Sequence, residues 1–126
     1  MRTSTSTSST NVNRGDVVTV DFSAYDPADK VRPVLVVQND RDNARMAKTI
    51  VALITTNIQR AGETTQYLIE RTDPDFPASG LYRDSAVNCS NLYTIRQSDV
   101  SRVIGRLTPA TMDRIDDCLK AALGLD

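Results

Sequence analysis

The hydrophobic period of this chain changes once, at Thr108-Pro109, and that change fixes the class of fold open to it. Threonine is a strong N-cap and proline a natural first helical residue, and Met112, Ile115, Leu119 and Leu123 then recur at three- and four-residue intervals until Gly124. This spacing predicts a helix over 109–123. Upstream, every apolar run is short. Asp16 to Phe22 puts Val18, Val20 and Phe22 on one face and Val17, Thr19 and Asp21 on the other, and Val34 to Gln38, Thr49 to Thr56, Gln66 to Glu70, Ser85 to Cys89 and Leu92 to Ile95 follow as further strands. Ser23 to Lys30 and Arg71 to Gly80 are loops by composition, and Asn39 to Lys48 is a polar, basic connection with room for a helical turn. Short strands joined by turns predict a small β-barrel. A single amphipathic helix cannot bury its stripe alone, so it must lie on that barrel or on a second copy of it.

Composition narrows the chemistry. At 126 residues and 40% hydrophobic content the chain can close one core, and its net charge of −1 gives no overall basic excess to draw nucleic acid. Any such contact must come from the local placement of arginines. Up to Arg60 there are eight basic and six acidic residues, and beyond it seven and ten, a small lean towards the first half. Histidine is absent, which removes the commonest neutral-pH acid–base group and the commonest metal ligand. No metal and no cofactor are expected. Cys89 and Cys118 stand too far apart for a zinc pattern and too few for a secreted disulfide framework, so a reducing cytoplasm is the expected location. Residues 1–13, with Ser or Thr at every position from 3 to 10, read as a disordered tail ahead of a single domain at 14–126. No apolar run approaches the roughly eighteen residues that suggest a membrane span.

One stretch points to a site: Arg32-Pro33-Val34-Leu35-Val36-Val37-Gln38-Asn39-Asp40. Proline fixes its own φ and pushes the preceding residue towards extended backbone, so Arg32 leaves the mouth of a buried strand from a defined position. Taken alone, the dipeptide reads more simply as a surface arginine ahead of a core strand. Its company changes that. Arg14-Gly15-Asp16-Val17-Val18 precedes it, and Thr49 to Thr55 and Asp84-Ser85-Ala86-Val87 follow at set spacings. In that order these segments resemble the MazF/PemK (Kid) toxins of bacterial type II toxin–antitoxin systems, from Arg14 to about Leu123.

The resemblance implies an SH3-like small β-barrel with a C-terminal α-helix, the Kid/MazF/CcdB-type fold, assembled as a two-fold homodimer. It implies a metal-independent endoribonuclease, an mRNA interferase that cuts single-stranded RNA at particular sequences and is restrained by a cognate antitoxin. Arg32 and Thr55 correspond to the family's principal catalytic residues, with Thr56 the immediate competitor of Thr55 because strand side chains alternate. Ser85 takes a supporting place at the phosphate, or is a satisfied strand serine. Many relatives carry Gly-Ser-Glu before the Arg-Pro, and this chain has no glutamate there; Asp26 or Asp29 could stand in as the base, or simply be solvated.

The chemistry is compatible with a chain lacking histidine. RNA carries its own nucleophile in the 2′-hydroxyl, so the protein need only align it, move a proton and stabilise the crowded phosphate. Arginine suits the last task through its planar fork and permanent charge. Tyr25, Lys30, Asn57 and Gln59 are candidate RNA contacts, and Phe22 reads as core. Two other functions share the fold: a CcdB-like gyrase poison, disfavoured here by the lack of tryptophan, and a binding module without catalysis.

Overall fold

Antiparallel pairing organises the molecule. The computed structural model describes residues 11–25 and 30–126. Six strands, β1 (Asp16–Asp21), β2 (Val31–Val36), β3 (Lys48–Thr55), β4 (Gln66–Ile69), β5 (Ser85–Arg96) and β6 (Val100–Arg106), form one sheet in the order β4-β5-β3-β2-β1-β6. Among the described residues three α-helices accompany them: α1 (Asp40–Arg45), α2 (Phe76–Ser79) and α3 (Pro109–Leu123).

Strand alternation sorts the apolar residues into two layers. Val18, Val20, Val34, Val36, Val51 and Leu53 face one way and bury Val12, Phe22 and Ile95 with them. Val17, Leu35, Ala52, Ile54 and Val87 face the other and pack under Met112, Ile115 and Cys118 of α3. The helix stripe is thus satisfied by the sheet. The sheet curls around the first layer until the Tyr93 ring on β5 meets Phe22 beyond β1, with centroids 5.0 Å apart. It is barrel-like, with β4 and β6 remaining as edges.

Helix α3 begins and ends where its sequence signals stand. The Thr108 hydroxyl accepts the Thr111 N–H at 3.2 Å, and Gly124 closes the helix at φ 71. Leu123, the last position of the expected stripe, is 57% exposed instead of buried.

Four local readings change. Ser85 to Cys89 and Leu92 to Ile95 are halves of one strand: Leu53 pairs with Asn88 but Ala52 pairs with Leu92, so the residues between form a bulge, not a turn. Strand β6 carries no clean alternation because its register on β1 shifts twice, which hides it from a period-2 reading. Residues 11–13, assigned above to the tail, join the fold: Val12 is 2% exposed and its N–H donates to Gln97 Oε1 at 2.9 Å. The loop over 71–80 also holds the short α2, whose Ser79-Gly80 end is pressed onto Ile104 and Gly105 of β6. A Cβ on Gly105 would lie 2.2 Å from the Ser79 carbonyl carbon, so only glycine permits this approach.

The Arg14-Gly15-Asp16 motif is a fastening. Arg14 Nε donates to Val37 O at 2.9 Å and its guanidinium pairs with Asp116 of α3. Gly15, at φ 96, donates to Val36 O and accepts from Leu107 N–H, each at 2.9 Å. Asp16, only 6% exposed, holds Arg106 at 2.7 Å and the Asn13 N–H at 2.8 Å. Beginning and end of the chain are joined here.

Candidate active site

Register brings the two leading residues together. Val34 lies opposite Leu53 across β2 and β3, and Arg32 and Thr55 stand two residues beyond that last pair on their strands, at the same parity. Residues two apart on a strand share a face of the sheet, so both stand on the face of Val34 and Leu53, at the mouth of the first apolar layer. Thr56 falls on the opposite parity. Arg32 and Thr55 together line two adjoining clefts, of about 310 and 410 Å³.

The two clefts differ in lining. The first carries Arg60 and five carboxamides, Asn57, Gln59, Gln66, Asn88 and Asn91. The second carries Lys30, Thr56 and Ser85. Among the described residues lining either cleft there are three cations, Lys30, Arg32 and Arg60, and no carboxylate. A chain of net charge −1 has concentrated positive charge at one place, which raises the local concentration of polyanions. Arg60 also lies 3.8 Å from Glu63, but both side chains are largely exposed and such a pair holds weakly.

Thr55 is oriented by its own loop. Its Oγ1 accepts the Asn57 N–H at 3.0 Å, so what the hydroxyl has to offer is its proton. Asn57 Oδ1 in turn accepts the Gln59 N–H at 3.3 Å. These local side-chain turns end β3 and carry Asn57 and Gln59 to the cleft wall.

Other expected site residues are placed differently. Ser85 lines the second cleft but is 2% exposed, and its hydroxyl donates to the Arg83 carbonyl at 2.8 Å. Lys30 is exposed at the rim. Tyr25 lines neither cleft: its hydroxyl donates to Asp99 at 2.6 Å and accepts the Arg96 N–H at 3.3 Å. That hydrogen bond, with Arg96 beside it, holds the Asp99 carboxyl below its ordinary range. Phe22 is core, 1% exposed. Asp26 and Asp29 lie outside the described residues.

The two thiols are no nucleophiles. Burial, with Cys118 and Asp116 adding, pushes Cys89 up to about 12, and burial also raises Cys118, so both stay protonated at neutral pH. Reading the sequence missed Gln66, Asn88 and Asn91. Asn88 interrupts the apolar run Ala86-Val87-Asn88-Cys89, a signal of a polar face, but only the pairing of β4 and β3 with β5 shows which polar face it is.

Comparison with known proteins agrees with this architecture. Residues 13–123 match the family model described as PemK-like, MazF-like toxin of type II toxin–antitoxin system. The chain is 36% identical over 116 residues to endoribonuclease EndoA of Bacillus subtilis (strain 168), covering 90% of this chain and 96% of that protein. It is 32% identical over 118 residues to endoribonuclease MazF6 of Mycobacterium tuberculosis, covering 90% and 98%. Among solved structures, a mycobacterial endoribonuclease in complex with its cognate antitoxin superposes with a TM-score of 0.73 at 29% identity, covering 91% of this chain and 97% of that one. The chain therefore belongs to the PemK-like, MazF-like toxins of type II toxin–antitoxin systems.

Proposed function

We propose that this protein is an endoribonuclease that cuts single-stranded RNA, acting as the toxin of a toxin–antitoxin pair. The observation that carries this reading is that Arg32 and Thr55 together line both of two adjoining clefts, which also carry Lys30, Arg60 and a row of carboxamides. Its relatives are named endoribonucleases.

The phosphodiester sits at that junction. Arg32 forks onto the non-bridging oxygens, and its fixed charge is worth most as the phosphorane gathers negative charge. Thr55 donates its hydroxyl proton to the same phosphate. The 2′-oxygen attacks phosphorus, the bond to the 5′-oxygen breaks, and the proton lost by the first oxygen is delivered to the second. The products are a 2′,3′-cyclic phosphate and a 5′-hydroxyl, with no metal in the reaction. Asp26 or Asp29, shortly before Lys30 in the sequence, is the carboxylate base that relays the proton. Asn57, Gln59 and Lys30 line the path of the flanking nucleotides, and Ser85 braces the turn beside it through Arg83.

A cognate antitoxin shuts the enzyme by laying an acidic, disordered segment over the same cations, in competition with RNA. The working unit is a homodimer. The cytoplasm is where it meets messenger RNA; Cys89 and Cys118 are both free thiols, and no helix among the described residues is long and apolar enough to cross a membrane.

Incubation of pure protein with single-stranded RNA in excess EDTA, beside a gyrase supercoiling assay, tests the proposal. Cyclic-phosphate ends at defined sequences are expected, with supercoiling unaffected. Intact RNA with inhibited gyrase would replace this reading by that of a gyrase poison.

A further inference from the structure

A polar atom shut away beside the reacting phosphate suggests how one base is read. Gln66 lines the first cleft with Arg32 and Thr55, yet its Oε1 is sealed from solvent and has no hydrogen-bond partner among the described residues. A buried acceptor left unmade is costly, and native side chains rarely keep one without reason. The fold itself does not need this amide: the local turn is closed by the Gln66 backbone, whose N–H donates to Glu63 O at 3.0 Å. Rotation about the last torsion of a glutamine is broad and soft, so a small turn carries the oxygen towards the cleft.

What it meets there is set by its neighbour. Gln66 and Asn88 are direct partners across β4 and β5, and Asn88 in turn lies opposite Leu53, so both amides stand on the face that carries Arg32 and Thr55. Asn88 Oδ1 already accepts the Ser90 N–H at 3.0 Å, which leaves its NH₂ to donate. The facing pair can therefore set an acceptor, Gln66 Oε1, beside a donor, the Asn88 NH₂, at cross-strand separation. That is the complement of a nucleobase edge with an N–H beside an acceptor, the pairing by which carboxamides read bases.

Resting on the nuclease reading above, we infer that Gln66 and Asn88 together form the subsite that reads the Watson–Crick edge of one unstacked base next to the scissile phosphate. Gln66 is a specificity residue held in a costly resting position that the correct base relieves. With the ring held in one placement, amino bases (adenine, cytosine) and keto bases (guanine, uracil) present donor and acceptor in opposite order, so one class relieves it and the other leaves it unrelieved.

The test compares wild-type protein, Gln66→Met and Asn88→Ser on a randomised single-stranded RNA pool in EDTA, with fragment ends sequenced and melting temperatures measured in parallel. Serine at 88 can still accept the Ser90 N–H, so the bulge is kept. Both variants are expected to flatten the preference at the same single nucleotide position, by roughly ten- to a hundredfold, and to leave the other positions unchanged. Gln66→Met should melt at or above the wild-type temperature, since it removes only an unsatisfied group. An unchanged cleavage profile, or a fall that is uniform across all sequences, overturns the inference while leaving the nuclease intact. If Gln66→Met does not fold, Asn88→Ser decides by the same readout. Wild-type protein that cuts nothing in the pool overturns both readings together.

Discussion

Two arginine motifs stand at opposite ends of the barrel strands, and they have been put to opposite uses. Arg14 and Arg106 are clasped by Asp116 and Asp16, with backbone carbonyls filling the remaining directions. Arg32 is brought by the same sheet to a surface where the polar described cleft residues are cations, amides and hydroxyls. A guanidinium wrapped by carboxylates and set between elements holds them together; one standing on a cleft wall beside other cations and amides is placed to meet an anion arriving from outside. The contrast teaches that an arginine's role is decided by whether the fold seats it between elements or on a cleft wall, and that both kinds can sit inside short motifs of one sequence.

The sharpest break of this comparison is Arg32→Ala, which should lower the cleavage rate by roughly a hundredfold to a thousandfold, about 3–4 kcal/mol, in single-turnover assays while the thermal melt stays put. Equal cutting by the variant would remove Arg32 from the chemistry. The converse substitution lies away from the site. Gly105→Ala forces a methyl to within 2.2–2.4 Å of the Ser79 and Ala78 backbone and should cost roughly 3 kcal/mol in urea unfolding, with the residual folded enzyme cutting normally.

Asp16→Asn should come next, losing about 2 kcal/mol of stability because Arg106 loses its charged partner at a site where Asp16 is only 6% exposed. Cleavage by Asp16→Asn unchanged from wild type would sharpen the division between the two motifs, whereas a specific loss of rate would blur it. Thr55→Val keeps the β-branched shape and removes only the hydroxyl; a tenfold fall in rate, roughly 1.4 kcal/mol, is expected, and Thr56→Val should do less.

The smallest effect concerns Tyr25. Its hydroxyl lowers the Asp99 pKa in the folded state, so the stabilisation is present above the ordinary carboxylate value near pH 4 and lost as pH falls through the depressed one. Tyr25→Phe should therefore flatten the acid limb of the stability curve below about pH 4 and leave neutral-pH cleavage unchanged. A loss of cutting at pH 7 with the ring retained would return Tyr25 to the RNA path.

What could be read from the sequence was what depends on neighbours along the chain. Thr108, Pro109 and Gly124 carry their own helix-end chemistry, and α3 spans Pro109–Leu123 as they dictate. The alternation of Val17 and Val18 separates two layers that the structure keeps separate. Arg32 and Thr55 were paired through the resemblance, and the register of β2 on β3 supplies the physical reason for their meeting. The rest depends on pairing between distant segments. Strand β6 was hidden because two register shifts break its period, and Val12 was hidden because its burial depends on Gln97, eighty-five positions away. Gln66 and Asn88 look like ordinary solvent-face amides until β4 and β3 are laid on either side of β5.

The bulge near Ser90 divides β5 into two segments with separate duties. One bears Asn88 beside the clefts; the other sets Tyr93 against Phe22 and closes the curl. Because the bulge takes up the mismatch between them, the first segment can exchange polar side chains without shifting the second. A lineage carrying this scaffold can drift from one RNA target to another by point changes, with no need to evolve its folding anew.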